Sequence, residues 1–226
     1  MIERIVAPPR WLAVALFGCG LIGAGWRIPT LPHMAPESIP IARPATDELP
    51  PTARNSPAPA SVTRLADGRL AVAWLDNGDA DSAAIWLAIQ DGKNWHEIGR
   101  IASRESTAAA AFIHIQGVGH PMLWAEGSWL HLWYEAYPLS HSMGASIMHS
   151  ISTDGGRTWN RTLRLESSPF GGLGSHLGQT PRPLADGGLL LPLAQDGSWL
   201  HLAATGQIID KIRPPLMAAP VEAARP

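Results

Sequence analysis

The chain has 226 residues and a mass of 24.2 kDa, enough for one domain or two small ones and for a sizeable core. Only 16% of its residues are charged and the net charge is -2, which argues against the basic face of a dedicated nucleic-acid binder. A single cysteine, Cys19, excludes an internal disulfide and a multi-cysteine zinc site. Ten tryptophans against two tyrosines and three phenylalanines fit a Trp-rich all-β protein, a group that includes carbohydrate-handling ones.

In chain order there is a lead, a linker and a body. Arg4 and Arg10 precede an uncharged apolar run at 11–26, and Arg27 ends it. The run is shorter than the ~20 residues of a bilayer-spanning helix. It reads as a secretory signal or an uncleaved membrane anchor, with Gly23 and Gly25 as small residues near its end. A third reading takes Leu16-Phe17-Gly18-Cys19 as a lipoprotein-type processing word. All three place the body outside the cytoplasm, in the periplasm or anchored at the membrane. Nine prolines between 27 and 60 exclude a long helix or a central strand and predict a stiff, extended linker.

The body, 61–210, is patterned as strands. Ser61–Leu65 alternates, Ala66-Asp67-Gly68 turns, and Arg69–Leu75 follows. The plan recurs at Met122–Trp124, turn Glu126-Gly127-Ser128, strand Trp129–Tyr134. It recurs again at Pro183-Leu184, turn Ala185–Gly188, strand Leu189–Leu193. No stretch carries a long, capped apolar face of helical period. The word from Glu126 to Leu132 returns 70 residues later as Asp196 to Leu202, and Leu65–Gly68 returns 119 residues later as Leu184–Gly187. Repeated short hairpins at such spacings predict repeated sheets, as in a propeller. Residues 211–226 break off the pattern as an irregular tail.

The segment Ser152-Thr153-Asp154-Gly155-Gly156-Arg157-Thr158-Trp159 has Ser, Asp, Gly and Trp at the spacing S-x-D-x-G-x-x-W. Asp154 can accept backbone hydrogen bonds in a tight turn, Gly156 can take a conformation that other residues avoid, and Trp159 can plug a gap between hairpins. These four are structural candidates. A weaker echo is Gln90-Asp91-Gly92-Lys93-Asn94-Trp95. The segment resembles the Asp box of sialidase-type β-propellers. Gly119–Trp124, Leu130–Tyr134, Ser168-Pro169-Phe170 and Pro183–Pro192 are similar to further words of the bacterial sialidase-like, BNR-repeat family. The resemblance covers about residues 58–197.

This resemblance implies a six-bladed propeller. At about 40–50 residues per sheet, the body has room for about three blades, so the expected fold is an incomplete sialidase-type β-propeller behind an N-terminal apolar helix. It also implies an exo-α-sialidase chemistry acting on a terminal sialic acid or related glycan. That chemistry needs an arginine triad for the carboxylate, an Asp acid/base, and a Tyr nucleophile assisted by Glu, without cofactor or metal. Ala58 and Gln179 stand near where the family has ligand-binding polar residues, and no counterpart of the Tyr-bearing half is found. Asp76, Asp79 and Asp81 remain as general-acid candidates, with Glu135 and Tyr134 behind them. Two functions follow: a divergent sialidase-like hydrolase, alone or with a second chain completing the propeller, or a non-catalytic module binding glycan or protein at the cell envelope. The nine histidines fit no known metal spacing.

Overall fold

The structure, a computed structural model, describes residues 49–57, 60–76, 83–138, 144–167, 174–194 and 197–213. The apolar run at 11–26 and nearly all of the linker lie outside them. Among the described residues no helix is long and apolar enough to cross a membrane.

The described chain is built on three four-stranded antiparallel sheets, each a meander of consecutive strands. Sheet 1 holds β1 (Ser61–Arg64), β2 (Leu70–Asp76), β3 (Ala84–Asp91) and β4 (Asn94–Ser103). Sheet 2 holds β5 (Gly117–Glu126), β6 (Trp129–Tyr137), β7 (Ser146–Ser152) and β8 (Leu163–Arg164). Sheet 3 holds β9 (Arg182–Pro183), β10 (Leu189–Pro192), β11 (Trp199–Leu202) and β12 (Ile208–Ile212). All three expected hairpins are present, and β12 runs two residues past the expected end of the strand pattern.

Repeated words make matching turns. In the β1–β2 turn Leu65 N–H donates to Arg69 O and Gly68 N–H to Leu65 O, at 2.8 and 2.9 Å. In the β9–β10 turn Leu184 N–H donates to Gly188 O and Gly187 N–H to Leu184 O, at 2.8 and 3.1 Å. An aspartate braces each: Asp67 Oδ1 accepts from Arg69 N–H and Asp186 Oδ1 from Gly188 N–H. The other repeat behaves differently, for its two copies start β6, the second strand of sheet 2, and β11, the third strand of sheet 3. The spacing of 70 residues therefore does not measure one sheet.

The Asp box joins the third and fourth strands of sheet 2, and its echo occupies the same place in sheet 1. Ser152 Oγ donates to Asp154 Oδ1 and accepts from Gly156 N–H, both at 2.8 Å. Asp154 also accepts from Thr158 N–H at 2.9 Å and from Thr158 Oγ1 at 2.6 Å. These bonds, from Thr158 first, hold the Asp154 carboxyl well below the usual range. Gly156 has φ +90°, and a Cβ there would meet Leu87 of sheet 1 at 2.5 Å. Trp159 packs against the core between the sheets and donates from Nε1 to Gly156 O at 3.1 Å. The box is thus occupied with its own turn and with the docking of sheet 2 on sheet 1.

Two helices depart from the all-strand expectation. Helix α1 (Pro51–Arg54) is one turn inside the proline-rich stretch. Proline at the first helical position is compatible with it, because no N–H is needed there. Its Ala53 is buried with Val72, Trp74 and Ala88 on the outer face of sheet 1. Helix α2 (Arg104–Ala111) starts at a capping box in which Ser103 and Ser106 each accept the other's backbone N–H. It is mostly polar or alanine, buries only Thr107, and so has no apolar stripe to announce it.

The faces of β6 organise the core. Leu130, Leu132, Tyr134 and Ala136 turn to sheet 1 and join Ala71, Ala73, Leu75, Ile85, Leu87 and Ile89. Trp133, two residues from Glu135 on the alternate face, packs with Leu189, Leu191, Leu200 and Leu202 of sheet 3.

Candidate functional site

Along β6 the polar residues His131, Glu135 and Tyr137 fall on the face toward sheet 3, and the acid among them is the buried Glu135. Its side chain is 1% exposed, and a buried carboxylate must be paired and hydrogen-bonded. Glu135 Oε2 accepts from Tyr137 Oη at 2.7 Å and faces His120 Nδ1 at 3.0 Å and His176 Nδ1 at 3.1 Å. Glu135 Oε1 accepts from Leu177 N–H at 2.8 Å. Burial alone would raise its pKa, but the bonds from His120, Tyr137 and Leu177 outweigh burial and hold the carboxyl below the usual range. It is an anchored anion.

Local sequence sets each partner. Glu135 and Tyr137 are two apart on one strand and share a face. His120 sits where the β5–β6 register slips between Gly119 and Met122. The slip and a backbone φ of +44°, rare outside glycine, swing the ring onto Glu135. Gly119 leaves room for this, since a Cβ there would stand 3.1 Å from Tyr137 Oη. His176 and Leu177 come from the segment ahead of sheet 3. That segment is tied to the sheet by Gly178 N–H on Pro192 O and Ala194 N–H on His176 O. It is tied to sheet 2 by Gly174 and Ser175 N–H on Ala145 O. Ser167 and Ser175 pair through their hydroxyls beside it.

The partners differ in access. Tyr137 is 2% exposed, and burial together with the neighbouring carboxylate pushes its phenol far up. It is a proton donor to Glu135 and is poorly suited to be a nucleophile. The His120 side chain is 56% exposed, and the hydrogen bond it donates to Glu135 raises its pKa. With Nδ1 held inside, its Nε2 is the atom available to a ligand. This is a carboxylate–imidazole pair, the arrangement that fixes a tautomer and presents the far nitrogen for acid–base work. The side chains converge on one carboxylate oxygen rather than around a void. Among the described residues no group of three or more His, Cys, Asp or Glu is arranged to hold a metal ion.

Of the aspartates expected as general acids, Asp76 ends β2 at the surface of sheet 1, while Asp79 and Asp81 lie outside the described residues. Ala58 lies outside them too, and Gln179 is exposed. Tyr134 and Glu135, adjacent in sequence, part company. Tyr134 points to the core with sheet 1, where its hydroxyl meets Thr107 Oγ1 at 2.9 Å, and Glu135 becomes the centre. His120, Tyr137 and His176 were not expected as site residues. The signal for His120 was a histidine before Pro121 inside a strand; nothing local marked His176, 41 residues from its carboxylate.

A family model described as a BNR repeat-like domain matches residues 68–222. No curated protein gives a match. Among solved structures the chain is similar to the GH43 BlXynB protein from Bacillus licheniformis, at 10% identity and TM-score 0.49, over 68% of this chain and 30% of that one. It is also similar to the Penicillium chrysogenum alpha-L-arabinanase complexed with arabinobiose, at 17% identity and TM-score 0.42, over 65% and 41%. A third is Zg3597, a family 117 glycoside hydrolase of Zobellia galactanivorans, at 16% identity and TM-score 0.43, over 63% and 49%. The chain therefore spans between about a third and a half of these structures. With the family model matched over well more than half of its length, the chain belongs to the BNR repeat-like domain family.

Proposed function

We propose that the chain is a sialidase-like protein of the glycoside-hydrolase type that engages a glycan at His120 and does not complete the hydrolytic set by itself. The observation that carries this is the half-exposed imidazole clamped by a buried carboxylate. Such a group can donate a hydrogen bond or a proton to a sugar oxygen while Glu135 keeps its orientation. The retaining chemistry of sialidases further needs a nucleophile and a cluster of arginines. Tyr137, the described tyrosine at this centre, is buried and committed to Glu135. The partners of Glu135 among the described residues are two histidines, a tyrosine and a backbone N–H.

The full chain, incubated with a fluorogenic aryl sialoside from pH 4 to 8, is expected to show no turnover. It is expected to bind a glycan from an array that includes sialylated and neutral members. His120→Ala should weaken that binding about tenfold or more, the scale of one lost charge-assisted hydrogen bond of about 1.5–3 kcal/mol. Turnover lost on changing Asp76, Asp79 or Asp81 would restore a hydrolase of the ordinary kind. Absence of both binding and turnover would overturn the glycan reading.

The proposal includes export by residues 11–26 and leaves room for a second chain that completes the propeller. Residues 1–60 fused to a reporter active only outside the cytoplasm should give signal, and a silent reporter would refute export.

A further inference from the structure

The face of β6 that carries Glu135 also carries His131, buried in the seam against sheet 3. His131 Nδ1 lies 3.1 Å from His149 Nε2 of β7. The two rings and Trp133 stack on one another, with interplanar angles of 10–13° and centroids 5.0–5.3 Å apart. His131 is 0% and His149 4% exposed. One proton can lie between Nδ1 and Nε2. His131 Nε2 is buried without a partner, so the arrangement with least penalty has His131 donating from Nδ1 and leaves Nε2 as a bare acceptor. The β11–β12 turn closes over His149, and a Cβ on Gly206 would overlap His149 Cε1.

Among the described residues no carboxylate is bonded to either ring. On the same face, Trp133 packs in one apolar cluster with Leu189, Leu191, Leu200, Leu202 and Ile208 of sheet 3 and with Met122 and Trp124 of β5. The titratable groups that share these faces are Glu126 at the far end of β5, Glu135 and Tyr137 further along β6 with His120 and His176 on the Glu135 carboxylate, and Lys211 at the exposed end of sheet 3. A second proton would set two like charges 3.1 Å apart in an apolar seam.

We propose that the stacked imidazoles of His131 and His149 are an acid-released latch on the face of sheet 2 that sheet 3 covers: while neutral they let sheet 3 lie there and keep His176 and Leu177 on Glu135. Burial lowers the pKa of His131 to about 4, and burial with the nearby His131 lowers that of His149 to about 3. Rings freed by parting of the sheets take up protons near pH 6.5, whereas the closed seam does not, so the open form gains as pH falls through that window. Opening draws His176 and Leu177, tied to sheet 3 through Gly178 N–H on Pro192 O and Ala194 N–H on His176 O, off Glu135 and dismantles half of the site. The latch concerns how the seam is held, so its test needs no glycan.

The test is hydrogen exchange of the full chain from pH 7 to 4, corrected for the intrinsic pH dependence of exchange. Peptides spanning β10 and β11 are expected to lose protection at least tenfold by pH 5, while β2 and β3 remain protected. His131→Gln with His149→Gln should remove that early loss. Simultaneous loss of protection in all three sheets, or an unchanged early loss in the double variant, overturns the latch. If the double variant does not fold, histidine NMR of the wild-type chain decides. Rings of His131 and His149 that stay neutral to below pH 5 while sheet 3 is protected support it, and rings titrating near 6.5 within the protected protein overturn it.

Discussion

Glu135→Ala will destabilise the chain by about 3–5 kcal/mol, the scale of removing one partner from a buried ionic group. The loss is not that of a single bond. It takes one shared acceptor from the Tyr137 hydroxyl, the Leu177 N–H and two imidazoles at once, and Tyr137 is 2% exposed. Glu135→Gln should cost less, because an amide oxygen can still accept from Leu177, but its NH2 then faces donors. Denaturant unfolding monitored by tryptophan fluorescence measures both. The pair of Glu135 and His120 also predicts a pH window. The Glu135 carboxyl is held low, so its contribution is present above about pH 4.5 and is lost as pH falls through the folded value. The His120 imidazole is held high, so its contribution is present below about 6.5 and is lost as pH rises through the folded value. In His120→Asn the alkaline arm should vanish while the acid arm stays. Persistence of both arms would mean that another pair sets them.

Trp133→Ala should cost about 3–5 kcal/mol, while Trp133→Phe should cost less than about 1.5 kcal/mol. Trp133 is 0% exposed and fills the seam between sheets 2 and 3 against Ile147, Leu189 and Leu200. Truncation leaves a cavity lined by leucines that the sheets cannot collapse into. Phenylalanine keeps the stack on His131 and His149 and removes an indole N–H that is buried without a partner. That removal offsets part of the lost volume. If both substitutions cost the same, the seam is held by something other than packing of this ring.

The hairpins were readable because their information is local. An Asp-Gly or Glu-Gly word sets each turn, and alternation on either side sets the faces, so Arg64↔Leu70 and Glu126↔Trp129 close where expected. The Asp box was readable for the same reason, since the bonds that shape its turn run among Ser152, Asp154, Gly156, Thr158 and Trp159. Helix α2 was hidden because its start rests on two serines and its body has no apolar face. The site was hidden for a third reason. Glu135 stood in a strand beside Tyr134, and which of the two faced the core depended on a register set by both neighbouring sheets. His176 reaches it only through the docking of sheet 3. The 70-residue repeat announced repeated sheets but not their period, because hydrophobic hairpin words fit any antiparallel pair of a meander.

The inner edge of β5 has a consequence for how the chain survives among its own copies. Leu123 N–H, which points away from β6, donates to Ser61 Oγ at 2.9 Å, and Ala125 N–H donates to Thr63 Oγ1 at 3.2 Å. Pro121, two residues earlier, has no N–H to offer. Sheets 1 and 2 are therefore joined at this edge by hydroxyl clips instead of a continuous backbone ladder. A foreign strand that approaches finds three successive donor positions silent or occupied, so β5 cannot template pairing with another molecule. β9 carries Pro183 at the corresponding place in sheet 3. Swapping Ser61 and Thr63 for valine would keep the shape of β1 while freeing those donors, turning a quiet edge into a nucleus for strand addition and fibre growth.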